Sequence, residues 1–94
     1  MKIIVVGCGK IGTTVVAEFV KEGHDLVALD YNPQIISEIT NTYDVMGVCG
    51  NATDYETLQE AGVEKAELFV AVTSDDELNM LSCLIAKKMG ANHT

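Results

Sequence analysis

Ile3-Ile4-Val5-Val6-Gly7-Cys8-Gly9-Lys10-Ile11-Gly12 is a short apolar run that breaks into Gly-x-Gly-x-x-Gly. Eighteen residues after Gly12 a second apolar run, Leu26-Val27-Ala28-Leu29, ends in Asp30. A strand, a tight turn, a helix start and an acid at the tip of the next strand are the parts that grip a dinucleotide. In this reading Gly7 lets the chain turn sharply and Gly9 lets the backbone approach a pyrophosphate. Gly12 lets the helix pack close to the strand. A glycine triplet alone is weak evidence; its flanking strand, helix and acid make this one specific.

Outward from that stretch, strand and helix patterns alternate four times. Lys2 to Val6 reads as the first strand. A helix follows from Lys10 to about Glu22, with Ile11, Val15, Val16, Phe19 and Val20 at the spacing that packs on a sheet, and Gly23 as its cap. His24 to Asp30 carries the second strand. Asn32-Pro33 then supplies an N-cap and a first-turn proline before a helix bearing Ile35, Ile36, Ile39 and Tyr43. Val45 to Cys49 is a third strand. Thr53-x-x-Glu56 reads as a capping box for a short helix stopping at Ala61-Gly62. Leu68 to Val72 is the fourth strand, and Ser74-x-x-Glu77 a second capping box ahead of Leu78, Leu81, Leu84 and Ile85. Lys87, Lys88 and Gly90 suit that helix's end.

Parallel strands need helical crossovers, and these cover both faces of the sheet. The expected fold class is therefore α/β, a Rossmann-like doubly wound parallel sheet. Right-handed crossovers make 3-2-1-4 the expected strand order, and ligands bind in the crevice at the carboxyl ends of strands one and four. Ala91 to Thr94 reads as the approach to a fifth strand. The expectation is one domain, residues 1–94, truncated before or at that strand and belonging to a longer protein. The exposed edge would be covered by the remaining segment or by a symmetry mate.

Net charge is −8, with six lysines and no arginine. Nucleic-acid binding needs a basic face to displace counterions, and an anionic membrane surface attracts basic segments, so neither is expected as a partner. No basic stretch leads into a long apolar segment, so neither a signal peptide nor membrane insertion is expected. Cys8, Cys49 and Cys83 are odd in number and form no C-x-x-C pair, which fits a reduced, intracellular compartment. His24 and His93 lie far apart and form no metal-ligand spacing with the cysteines.

The helix starting at Lys10 offers free N–H groups and a positive dipole end to phosphates. Its first acid is Glu18, whereas the last helix opens on Asp75, Asp76 and Glu77, which repel phosphate. Asp30 is placed to accept hydrogen bonds from both ribose hydroxyls. A 2′-phosphate there would meet a carboxylate with no arginine to neutralise it, which disfavours NADP. Gly50-Asn51-Ala52-Thr53-Asp54 follows the third strand at the same sheet edge, placed either to wall an adenine pocket or only to cap a helix. Thr73-Ser74, across the crevice from Gly7, is placed either within reach of the second half of a dinucleotide or only to cap a helix. Cys8, in the phosphate turn beside a helix N-terminus, occupies a setting that lowers thiol pKa, although no base neighbours it in sequence. No carboxylate pair, partnered serine or cysteine, or Lys–Tyr arrangement marks a catalytic centre.

Gly7 to Gly12, Leu29-Asp30-Tyr31-Asn32-Pro33, Gly50 to Asp54 and the segment Val70 to Met80 run in an order that resembles a known group. It is the RCK, or KTN, group of potassium-channel regulators, in particular the TrkA-N type of nucleotide-binding domain in Trk potassium-uptake systems. The resemblance covers essentially all 94 residues. It implies a non-enzymatic, regulatory domain that binds NAD or NADH, or alternatively ATP or ADP. It also implies pairing into a homodimer or higher ring, at the cytoplasmic face of a potassium-translocating membrane subunit. Carried onto this chain, the cofactor-binding residues are Gly7, Cys8, Gly9, Lys10, Ile11 and Gly12 in the loop, Asp30 and Tyr31, Asn51 and Ala52, and Thr73 and Ser74. Two competing readings are the cofactor-binding fragment of an NAD-dependent dehydrogenase and a dimerisation module with an empty loop.

Overall fold

The computed structural model describes residues 1–94. Nine elements follow one another: β1 (Lys2–Val6), α1 (Lys10–Lys21), β2 (Asp25–Asp30), α2 (Pro33–Thr42), β3 (Met46–Cys49), α3 (Tyr55–Ala61), a 3-10 turn (Val63–Lys65), β4 (Leu68–Ala71) and α4 (Asp76–Met89). The sheet is parallel throughout, in the order β3-β2-β1-β4, as expected. Val6 lies beside Leu29 on one flank and Ala71 on the other, so β1, β2 and β4 end level with one another.

The strands are apolar on both faces because both faces are covered. Ile4 and Val6 turn to one side, where α3 and α4 bring Leu58, Ala61 and Ala86 against Phe69 and Leu29. Ile3 and Val5 turn to the other, meeting Val16 of α1 and Ile39 of α2. Outside β4, His93 makes a parallel bridge to Leu68, and Phe69 N–H donates to His93 O at 2.8 Å. The tail thus lies where a fifth strand was expected. No helix is long and apolar enough to cross a membrane.

The sequence expectations need four local corrections. Ile11 does not pack on the sheet; it is 67% exposed. It sits in the first turn of α1, above the end of the strands. The α3 cap is Asp54, not Thr53, because Asn51 Oδ1 accepts both the N–H and the hydroxyl of Thr53 and takes that residue into the preceding turn. The α4 cap is Asp75, not Ser74, with Asp75 Oδ1 accepting from Leu78 N–H at 3.1 Å. Finally, α4 faces the sheet with Ser82 and Ala86, leaving Leu81 and Leu84 exposed. Two small residues one turn apart let the helix approach closely, and the leucines fall off that stripe.

Candidate functional site

At the carboxyl ends of the strands lies an open cleft of about 800 Å³. Four connections build it. The glycine loop contributes Gly7, Gly9, Lys10 and Ile11; the β2–α2 turn contributes Asp30 and Tyr31. The β3–α3 loop adds Asn51 and Ala52, and the β4–α4 turn adds Thr73 and Ser74. Cys8 and Gly12 belong to the loop but do not themselves line the cleft.

Gly7 has φ +89°, a left-handed conformation that side chains rarely adopt, and a Cβ there would come within 2.8 Å of Thr73 N. A Cβ on Gly12 would fall 1.7 Å from Gly7 O, so α1 can start against the loop only with glycine at that point. Gly9 differs: a Cβ there would meet nothing within 4 Å. Protein packing makes no demand for glycine at Gly9, and the space beside it is open cleft.

Gly9 is also the N-cap of α1. No side chain caps this helix and no acid stands in its first turn. Its leading N–H groups and dipole therefore point unneutralised into the cleft, with Lys10 adding a positive charge at the rim. The start of α4, across the cleft, is the opposite case. Asp75 caps it, and Asp76 and Glu77 occupy its first turn.

Asp30 makes contacts within the protein that the sequence reading did not assign to it. Its carboxylate is buried, with Oδ2 accepting from Cys8 N–H at 2.9 Å and Oδ1 from Asn32 N–H at 2.9 Å. It thereby ties the glycine loop to the end of β2. A carboxylate has about four lone-pair sites, so acceptor capacity remains toward the cleft. Cys8 is held a second time through its carbonyl, which accepts from Thr13 Oγ1 at 2.9 Å.

The Cys8 thiol turns away from the helix end into the apolar layer with Val16 and Ile39. Burial first, and then the charge of Asp30, push its pKa up to about 12. This reverses the expectation of a thiol activated by the helix terminus, because the side chain points into the core rather than along the dipole. Cys83 is also raised, chiefly by burial.

Two other side chains are already committed within the protein. Asn51 Oδ1 is taken by Thr53, which leaves its amide N–H₂ end for any ligand. The Thr73 hydroxyl lies 2.6 Å from Asn79 Oδ1. Val72, Asp75 and Leu78 also line the cleft and were missed in the sequence. Their only signal was position just after, or one turn beyond, the fourth strand.

A parallel sheet in this order, with a glycine-rich turn, a bare helix N-terminus and an acid at the tip of β2, defines the class of Rossmann-like nucleotide-binding domains. Within that class, the chain matches the TrkA-N domain over residues 3–94 and belongs to that family. It is 33% identical over 88 residues to a Trk system potassium uptake protein TrkA homolog of Methanothermobacter thermautotrophicus, covering 94% of this chain and 41% of that protein. It is 40% identical over 86 residues to the Trk system potassium uptake protein TrkA of Vibrio alginolyticus, covering 92% of this chain and 19% of that protein. The chain thus spans less than half of either relative. Among solved structures it resembles the Shewanella denitrificans Kef CTD in AMP-bound form, with TM-score 0.80 and 24% identity, covering 94% of this chain and 52% of that one.

Proposed function

We propose that this chain is a regulatory nucleotide sensor without turnover, acting on potassium uptake. Its ligand is NAD or NADH, or alternatively ATP or ADP. The observation that carries this reading is the uncapped, acid-free start of α1 opening into the same cleft as the buried Asp30. The shared adenosine diphosphate part would lay its phosphates on the α1 N-terminus, beside Gly9, and its ribose hydroxyls on Asp30. Tyr31, Asn51 and Ala52 would border the adenine, while Thr73 and Ser74 would face the far half of the ligand. The open space at Gly9 suits a phosphate, and the carboxylate of Asp30 in a chain without arginine disfavours a 2′-phosphate.

Membership of the TrkA-N family and the names of its relatives support a potassium-translocating membrane subunit as partner, met at the cytoplasmic face. The domain would act there as a homodimer or larger ring. A nucleotide can shift such an assembly only by binding its two states with different affinity. The test is titration calorimetry and thermal melting of the protein with NAD, NADH, ATP, ADP and NADP. Saturation with a preferred nucleotide at about 100 times Kd should stabilise the fold by about 2.7 kcal/mol. If none of the five nucleotides gives heat or raises Tm, the reading is wrong.

A further inference from the structure

We infer that Asn79 is the positioning residue for the far half of the cleft, acting through Thr73; this rests on the nucleotide reading above. The β1–β4 ladder ends where Val72 N–H donates to Val6 O at 2.9 Å. Thr73 is the first residue beyond it, and its N–H and C=O have no strand neighbour to bond. One side chain serves both. Asn79 Oδ1 accepts from Thr73 N–H at 2.9 Å, and Asn79 Nδ2 donates to Thr73 O at 3.0 Å. The same Oδ1 lies 2.6 Å from the Thr73 hydroxyl, which in turn accepts from Asp75 N–H at 3.1 Å. The amide therefore imitates a strand neighbour for one residue and fixes the turn that begins α4.

The position so fixed is one the site uses. Thr73 lies over the glycine loop, so close that a Cβ on Gly7 would come within 2.8 Å of its nitrogen. Thr73 and Ser74 line the cleft, whereas Asn79 does not. A change at Asn79 thus reaches a ligand only by moving the turn. The residues of the other end, Asp30 at the tip of β2 and Asn51 just after β3, lie on the opposite side of β1 from β4. None of their recorded hydrogen bonds involves Asn79. Thr73 is only half-buried, so on loss of the amide its main-chain groups can turn to water. The expected consequence is a loosened turn in a folded domain.

That asymmetry gives the test. NAD spans both ends of the cleft, whereas AMP occupies the adenosine end alone. Affinities of both ligands are measured by calorimetry for the intact protein and for Asn79→Ala. We expect the Kd for NAD to rise about tenfold or more and that for AMP to change by less than about twofold. A general loss of structure would weaken both alike. Equal weakening of the two ligands, or no weakening of either, overturns the role of Asn79. Should Asn79→Ala fail to fold, Asn79→Asp is read by the same ratio. It keeps the Oδ1 contacts and sets a carboxylate oxygen against Thr73 O in place of the amide donor. If the unaltered protein binds neither ligand, the nucleotide reading itself falls, an outcome distinct from a wrong role for Asn79.

Discussion

Asp30→Asn separates the two tasks assigned to one carboxylate. In the folded chain its oxygens accept from Cys8 N–H and Asn32 N–H, each at 2.9 Å. An asparagine keeps one acceptor and turns the other into an N–H₂ group facing an N–H donor. One charge-assisted bond is lost and a buried donor is left unpaired, which costs about 1.5–3 kcal/mol. Domains of this kind are stable by about 5–15 kcal/mol, so the variant should fold. Urea unfolding without nucleotide should show a lower midpoint at unchanged m-value. Repeating the titration with NAD reads the second task. The ribose bond should cost a further 1–3 kcal/mol or so of binding, seen as a smaller ligand-induced stabilisation. If the midpoint without ligand stays within about 0.5 kcal/mol of the parent, the scale of an ordinary surface change, the clamp on the glycine loop is refuted. If the increment from NAD is unchanged, the ribose role is refuted, whatever happens to stability.

The two remaining glycines of the loop should part company. Gly12→Ala places a Cβ against Gly7 O and should lower stability by about 1–3 kcal/mol in thermal melts; Gly9→Ala should leave the ligand-free Tm within about 2 °C while weakening NAD by about tenfold or more. Cys8 should resist iodoacetamide in the native protein at pH 8 while exposed Cys49 reacts, as read by mass spectrometry. Because the folded Cys8 thiol is raised to about 12, its contribution to stability is whole below the unfolded thiol's pKa of about 8.5 and declines as pH climbs toward the folded value. Urea midpoints taken from pH 8 to pH 10 should therefore fall more steeply for the parent than for Cys8→Ala, and parallel curves would reject the burial argument.

The frame was legible because its signals are local and agree with one another. Gly7 to Gly12, Asp30 and four alternating strand and helix patterns lead to the observed β3-β2-β1-β4 order through the handedness of crossovers alone. The rest depends on contacts that no local pattern carries. Leu81 and Leu84 look like the buried face of α4, yet small Ser82 and Ala86 win that place because they permit a closer approach. Both capping boxes slipped by one residue, since Asn51 and Thr73 recruit the next N–H groups into turns before the helices begin. The direction of the Cys8 side chain depends on what α1 and α2 leave open beneath the loop. Asp30 was legible as an acid at the cleft, but its bond to Cys8 was not, because it crosses 22 residues. Asn79 lies six residues from its partner, around a turn whose shape it helps to set.

Net charge is no guide to the sign of this site. The chain carries −8, which at long range repels any nucleotide. Over the few ångströms that matter for contact, what counts is the arrangement of dipoles and charges, since solvent ions screen distant ones within about 8 Å at physiological salt. Such an arrangement is useful only if it is already in place, because ordering one residue on binding costs about 1–2 kcal/mol. The loop meets that requirement from two sides. Asp30 accepts from the backbone N–H of Cys8 at the end of β2, and Thr13 of α1 donates to the Cys8 carbonyl. Glycines with unusual freedom in an unfolded chain are thereby confined, and the bare end of α1 keeps one direction. The acids of α4 are gathered where their own helix uses them, capping Leu78 N–H and facing its dipole. Negative charge is thus gathered at the α4 terminus on one wall of the cleft, while on the other wall no acid caps α1 and the Asp30 carboxylate is engaged by Cys8 N–H and Asn32 N–H; this division would let an acidic domain present the proposed anion site.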